Sequence, residues 1–418
     1  MDPNDISSWQ ETSPGIFCRP LDEPDLYYLT NVKIWESTAS TIEYEPQDET
    51  EVEKWMNATL TIDKSGQTSA EFLSLDAPVP HSAIFIFPKN TEQDKLEHDI
   101  IFRSGHDVID GMATYALLNN LIKYAAQAFS SPDINLAVSF GDEYKNLTPP
   151  FRNALGLPSP DALKFTQTEL DAIRAQRIKN RSGSLGIPLR QQSSIPSKSG
   201  RAALSFTVEE TKAIITACKS RNTTITPAIH SPGSTTKRKI AETRKYCRPP
   251  YNGPEYNMMI CHTNSTSVLV VHLTIPSDSA PHTAQSPHEF QDVLEQVQHF
   301  YHKNAKEVNL LDGARCFAAR TLEWPTSAQL PELGIPSVSL SRRGVTDQYI
   351  QARHGRLEVV DPWAVGTELS AGLGVSVATC QGAMCLRAAY NEAYHEEVGV
   401  LGFLEIVKRV VLEGLGVV

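Results

Sequence analysis

One junction constrains this chain more than any other stretch. An extended run, His98 to Phe102, passes through Arg103-Ser104-Gly105-His106-Asp107-Val108-Ile109-Asp110-Gly111 into a long helix from about Gly111 to Phe129. In that helix Met112, Tyr115, Leu118, Ile122 and Ala125 recur at helical spacing. A fold built on this junction holds His106 where a strand meets a helix, a common place for a side chain to face a cleft. An imidazole there takes a proton from a hydroxyl or amine near neutral pH. The plain alternative is a satisfied structural histidine at a strand end. Asp110 has three readings: it orients the imidazole as a triad aspartate does, pairs with an arginine to brace the loop, or caps the helix whose first amides need partners. The intervening residues form a turn, which favours bracing and capping over direct chemistry. His and Asp at this spacing can also ligate a metal, but no third ligand lies nearby. His299-x-x-His302 reads as surface histidine on an amphipathic helix, so no metal is expected.

At 418 residues the chain can bury a large core and is expected to form two domains. Its longest apolar run is far short of a membrane span. The opening Met1-Asp2-Pro3-Asn4-Asp5 is acidic and polar, so no signal peptide is expected. Seven cysteines without close-spaced pairs fit reduced thiols in a cytosol. Cys380 and Cys385 fall in a predicted hairpin and read as structural. Charge is uneven. Residues 1–100 hold 6 Lys/Arg against 20 Asp/Glu, whereas 174–248 hold 16 basic residues against 3 acidic, in a chain of net charge −11. The basic stretch suits either a solvated linker or an anionic ligand such as the phosphates of coenzyme A. Its few aromatics and the acidic whole argue against nucleic acid.

Strands are expected at Tyr27–Ile34, Ala83–Phe87, Leu136–Ser139, Arg201–Phe206, Ser267–Ile275, Val338–Leu340 and Leu357–Val360. Helices are expected over Glu49–Leu60, with Trp55 and Met56 on the apolar side, over Pro287–Lys303 and over Val398–Glu413. Thr207-Val208-Glu209-Glu210 is a capping-box signature opening a helix to about Arg221. Gly374–Cys380 and Ala383–Tyr390 form a hairpin turning at Gln381-Gly382. Residues 178–200 read as linker, and 231–255 are polar and Pro-rich. Strands and helices mix without strict alternation, so the fold class expected is α+β, two layers per domain. No G-x-S-x-G elbow, phosphate loop or dinucleotide glycine motif occurs.

The segment Arg103 to Gly111 with its following helix resembles the H-x-x-x-D-G element of BAHD-type acyltransferases and peptide-synthetase condensation domains. Leu204–Thr226, Tyr251-Asn252, Ser337–Ser341 and Ala388-Ala389-Tyr390-Asn391 resemble the fungal branch that acylates secondary metabolites, such as the trichothecene O-acetyltransferases. The resemblance implies two chloramphenicol-acetyltransferase-like lobes, each a mixed sheet with helices, and a tunnel between them. It implies an N-terminal lobe over residues 1–180, a linker over 181–200 and a C-terminal lobe over 201–418. His106 would sit mid-tunnel as general base, and the acceptor oxygen would attack an acyl thioester directly, with no acyl-enzyme and no bound cofactor. Acyl-CoA would be the co-substrate. Gly111 would let the backbone pack closely after the motif. Condensation domains carry a second His just before the motif His. Gly105 stands there, which favours the acyltransferase branch. The D-F-G-W-G element of plant members is absent, and Asp361-Pro362-Trp363-Ala364-Val365-Gly366 stands at a similar distance from the C-terminus as its diverged structural counterpart. Where the family has an Ala-rich apolar helix after Ile229, Ser231 to Thr236 is loop-like.

The expected function is therefore acyl-CoA-dependent transfer to a hydroxyl or amine of a secondary metabolite. The expected partners are small molecules, not nucleic acid or membrane, acting on a cytoplasmic monomer. Two alternatives stay open: the same fold used as a cyclase or intermediate-binding protein in polyketide or terpenoid biosynthesis, and a non-catalytic binding relative.

Overall fold

The computed structural model describes residues 9–20, 41–45, 48–74, 81–89, 96–105, 109–131, 147–156, 166, 168–169, 171–172, 189–190, 195–231, 236–242, 246–253, 262–270, 287–305, 338–368 and 370–417. The expected strands at Tyr27–Ile34 and Leu136–Ser139, most of the expected linker, and His106 itself lie outside the described residues.

The chain opens with an antiparallel sheet of β1 (Gln10–Ser13), β2 (Ile16–Pro20) and β3 (Thr41–Tyr44). Helix α1 (Glu49–Thr59) starts at Asp48, which forms a reciprocal capping box with Glu51. Trp55 and Met56 were expected to face inward, but they are 60% and 51% exposed. Glu49, Glu51, Glu53 and Lys54 crowd its first half and leave no apolar stripe wide enough to bury. A mixed three-stranded sheet follows. β4 (Leu60–Ile62) runs parallel to β5 (Ala83–Lys89), and β6 (Glu97–Arg103) pairs antiparallel with β5. Between them, α2 (Ser69–Ser74) lays Phe72 against Phe85 and Phe87, with ring centroids 4.5 and 5.1 Å away. β6 delivers the chain to the motif loop, and α3 (Gly111–Ser130) leaves it. The face α3 buries differs slightly from expectation: Ala113, Tyr115, Ala116 and Ala126 are buried, whereas Ala125 is exposed. A short α4 (Phe151–Leu155) follows.

The second half is built on a four-stranded mixed sheet in the order Val338–Val345, Leu373–Cys380, Ala383–Asn391, Ser199–Ser205. β7 spans Ser199–Ser205, and α5 (Val208–Ser220) follows it, opened by Thr207 and Glu210 in the expected capping box. α6 (Ile225–His230) comes next. β8 (Thr236–Glu242) pairs antiparallel with β9 (His262–Val270), so the polar, Pro-rich stretch 231–255, for which no strand was expected, contains one. Its run Lys237-Arg238-Lys239 gives no strand pattern of its own, and the partner strand β9 supplies the pairing. α7 spans Pro287–Ala305 and β10 spans Val338–Val345. A small hairpin of β11 (Arg353–His354) and β12 (Leu357–Glu358) leads toward β13 (Leu373–Cys380) and β14 (Ala383–Asn391). The β13–β14 hairpin turns at Gln381 (φ 48°) and Gly382 (φ 82°), both left-handed, as a two-residue turn matching the strand twist requires. α8 (Glu397–Leu415) closes the fold. Val400, Leu404, Val407, Val411 and Leu415 fall on one inward stripe, and Gly416 at φ 64° ends it.

The main core lies against this sheet. Met384, Leu386 and Ala388 of β14 pack with Ile214 of α5, Phe290 and Leu294 of α7, and Val400, Leu404 and Val411 of α8. Ala228 and Ile229 of α6 join it, so the region just before the loop-like Ser231 is firmly packed. The described cysteines at 18, 218, 247, 380 and 385 are free thiols.

Candidate functional site

The motif loop is held at both described ends. On the entry side, the hydroxyls of Ser82 and Ser104 hydrogen-bond across β5 and β6 at 2.7 Å. On the exit side, Asp110 has the extended backbone of an N-cap (φ −92°, ψ 171°). One carboxylate oxygen accepts from the backbone N–H of Met112 at 3.0 Å and of Ala113 at 2.9 Å. A charged acceptor on two orphan amides at the positive end of a 20-residue helix is favourable on both hydrogen-bonding and dipole grounds. The carboxylate is almost wholly buried, at 3% exposure.

Gly111 opens the helix beneath the guanidinium of Arg343 from β10. A Cβ placed on Gly111 would collide with that group. The approach is thus possible because residue 111 has no side chain. One turn further, the buried phenol of Tyr115 accepts a hydrogen bond from the Ala364 backbone amide and lies close to Arg343 and Arg387. Burial pushes its pKa up, and the two guanidiniums partly offset that.

The segment expected to stand in for the plant-type motif reaches the same region. Asp361, in the left-handed region at φ 47°, pairs with Arg387 of β14, which is only 2% exposed. The Trp363 ring lies 5.6 Å from the Arg387 guanidinium carbon, a cation–π distance. Gly366 has open space where a Cβ would stand, so packing does not demand glycine there. Asp361 and Trp363 therefore hold a buried arginine behind Tyr115, and Tyr115 belongs to the motif helix. Tyr115 is visible in the sequence only as one member of an apolar stripe. Arg343 and Arg387 carry no local signal at all, because their partners are more than 20 residues away in sequence.

The basic stretch is in part structural. Arg201 donates to the Leu73 carbonyl at 2.7 Å, Arg221 to the Ala217 carbonyl at 3.2 Å, and Arg248 to the Gly156 carbonyl at 3.3 Å. Among the described residues no group of three or more His, Cys, Asp or Glu is placed to hold a metal ion. None of the described helices is long and apolar enough to cross a membrane.

No protein-family model matches the chain. Among curated proteins it is similar to the O-acetyltransferase pigM of Monascus ruber, at 23% identity over 98% of this chain and 76% of that protein. It is also similar to the acetyltransferase pigO of the same organism, at 21% identity over 91% and 82%. The azaphilone biosynthesis cluster protein M of Aspergillus terreus matches at 24% identity over 73% of this chain and 74% of that protein. Among solved structures, the trichothecene 15-O-acetyltransferase TRI3 of Fusarium sporotrichioides superposes with a TM-score of 0.77, at 13% identity, over 98% of both chains. That likeness gives this chain the two-lobed, chloramphenicol-acetyltransferase-like fold.

Proposed function

We propose that this protein, an acyltransferase of the chloramphenicol-acetyltransferase-like fold, moves an acyl group from a coenzyme A thioester to a hydroxyl of a fungal secondary metabolite. The observation that carries the reading is similarity over 98% and 91% of this chain to two proteins named acetyltransferases, on a fold that also carries a trichothecene 15-O-acetyltransferase. His106 supplies the chemistry in this reading, on a loop pinned at Ser104 and Asp110. Its neutral imidazole takes the acceptor proton as the oxygen attacks the thioester carbonyl. The C–O bond forms, the C–S bond breaks, and the thiolate leaves with the proton that His106 returns. Asp110 acts by shaping the loop: its carboxylate accepts from two helix amides. Residues 1–180 and 201–418 form the two lobes, with the acceptor and thioester meeting between them.

The test is direct. Purified protein is incubated with acetyl-CoA and a panel of primary, secondary and phenolic alcohols, and free thiol and acylated product are both measured. The reading predicts thiol release matched by ester formed, with at least one acceptor class preferred. Product formation from an acceptor without any thioester present would contradict it.

A further inference from the structure

The contacts along α3 share a geometry that neither the motif nor the fold explains. Gly111, Tyr115, Asn119, Ala126 and Ser130 lie four, four, seven and four residues apart, which is one stripe of an α-helix. Every one of them meets the same stretch of chain, residues 343–364. Gly111 sits under Arg343. Tyr115 accepts from the Ala364 amide. The Asn119 side-chain carbonyl takes two hydrogen bonds at once, from the Gln351 backbone N–H at 2.9 Å and from His354 Nε2 at 3.1 Å. Gly355, at φ 55°, comes close enough that a Cβ there would touch Ala126 and Ser130.

Asn119 bonds the segment twice through one side-chain oxygen. Because Asn119 Oδ1 must accept from the Gln351 amide, the shared bond requires His354 to present Nε2–H, which fixes its tautomer. His354 is 7% exposed, so water does not replace the bond cheaply if Asn119 is removed. The segment is itself anchored to the C-terminal sheet: Arg343 belongs to β10, Thr346 donates to the Thr379 carbonyl at 3.1 Å, and Asp361 pairs with Arg387.

We propose that residues 343–364 grip the motif helix along this stripe, and that Asn119 is a positioning residue: it sets where α3 and its Asp110 cap, the exit end of the motif, stand relative to the C-terminal sheet. The proposal rests on the reading of His106 as general base, and it adds a residue that acts on the exit end of the motif from two helical turns away.

The experiment compares wild type, Asn119→Ala and Asn119→Asp by amide hydrogen exchange and by turnover. Aspartate is isosteric and keeps both acceptor bonds, so it serves as the rescue. In Asn119→Ala, exchange over residues 103–115 speeds up at least about threefold, while the β13–β14 hairpin is unchanged. With acetyl-CoA and the three alcohol classes, kcat falls about tenfold and the KM for acetyl-CoA stays within about twofold. Asn119→Asp returns both readouts toward wild type. Unchanged exchange over 103–115 in folded Asn119→Ala overturns the proposal, and so does an equal rise across the whole chain. If the alanine variant does not fold, His354→Ala, which removes only one of the two bonds, carries the same expectations at smaller size. Wild type that releases no thiol defeats the function proposed above, and the exchange result still decides the grip.

Discussion

Asp110 has one oxygen on two helix amides and is buried, which makes its removal costly in a specific way. Asp110→Ala leaves two N–H groups at the start of α3 without that acceptor, a loss of about 1–2 kcal/mol by the usual cost of an N-cap. Thermal unfolding checks this, and Asp110→Asn, which keeps the acceptor but not the charge, should recover most of it. Gly111→Ala tests the neighbouring residue differently. A methyl there meets the Arg343 guanidinium, so activity should fall even though alanine is the better helix former. The capping role of Asp110 was legible from its place before a helical stripe, because caps are local chemistry. The burden carried by Gly111 was not legible, because the group that crowds it comes from β10. Asp361→Ala strips a buried guanidinium of its carboxylate. With Asp361 itself largely exposed, the expected cost is about 1–3 kcal/mol, read as a lowered denaturant midpoint.

At the level of elements, the sequence is read best where the signal is self-contained. The Thr207–Glu210 box, the Gln381-Gly382 turn and the α8 stripe all stand where local patterning put them. The expected Ser267–Ile275 strand starts earlier, at His262, and runs to Val270; residues 271–275 lie outside the described residues. Its start is set by pairing with β8, where His262 stands opposite Glu242. β8 was missed for the same reason: a basic, polar strand announces itself only through the strand beside it. The turn yields a prediction at this scale. Gly382→Val places a β-branched residue at φ 82°, where Cβ and carbonyl clash, and should destabilise the hairpin by more than about 1 kcal/mol. Urea unfolding with an unchanged m-value would show it as loss of stability alone.

Across the whole molecule, buried phenols and thiols set an alkaline limit. Burial pushes Cys218 from 9.0 up to about 11 and Tyr301 from 10.0 up to about 12. Both groups hold their protons more tightly folded than unfolded, so their contribution is complete below pH 9 and is lost as pH rises through the folded values. The melting temperature should therefore fall steadily from pH 9 to 11, and Cys218→Ala should flatten the first part of that decline. The two-lobed fold was legible through one short motif and scattered resemblance, while the way the C-terminal half clasps the motif helix was not, since its contacts join residues more than 200 positions apart. The account turns on His106 as the base that makes acyl transfer possible. The most direct measurement is single-turnover acyl transfer from acetyl-CoA by wild type and His106→Ala at equal folded concentration. We expect the alanine variant to bind acetyl-CoA normally and to transfer at least about a hundredfold more slowly, the usual span for a lost general base. Transfer at the wild-type rate by folded His106→Ala would contradict the account.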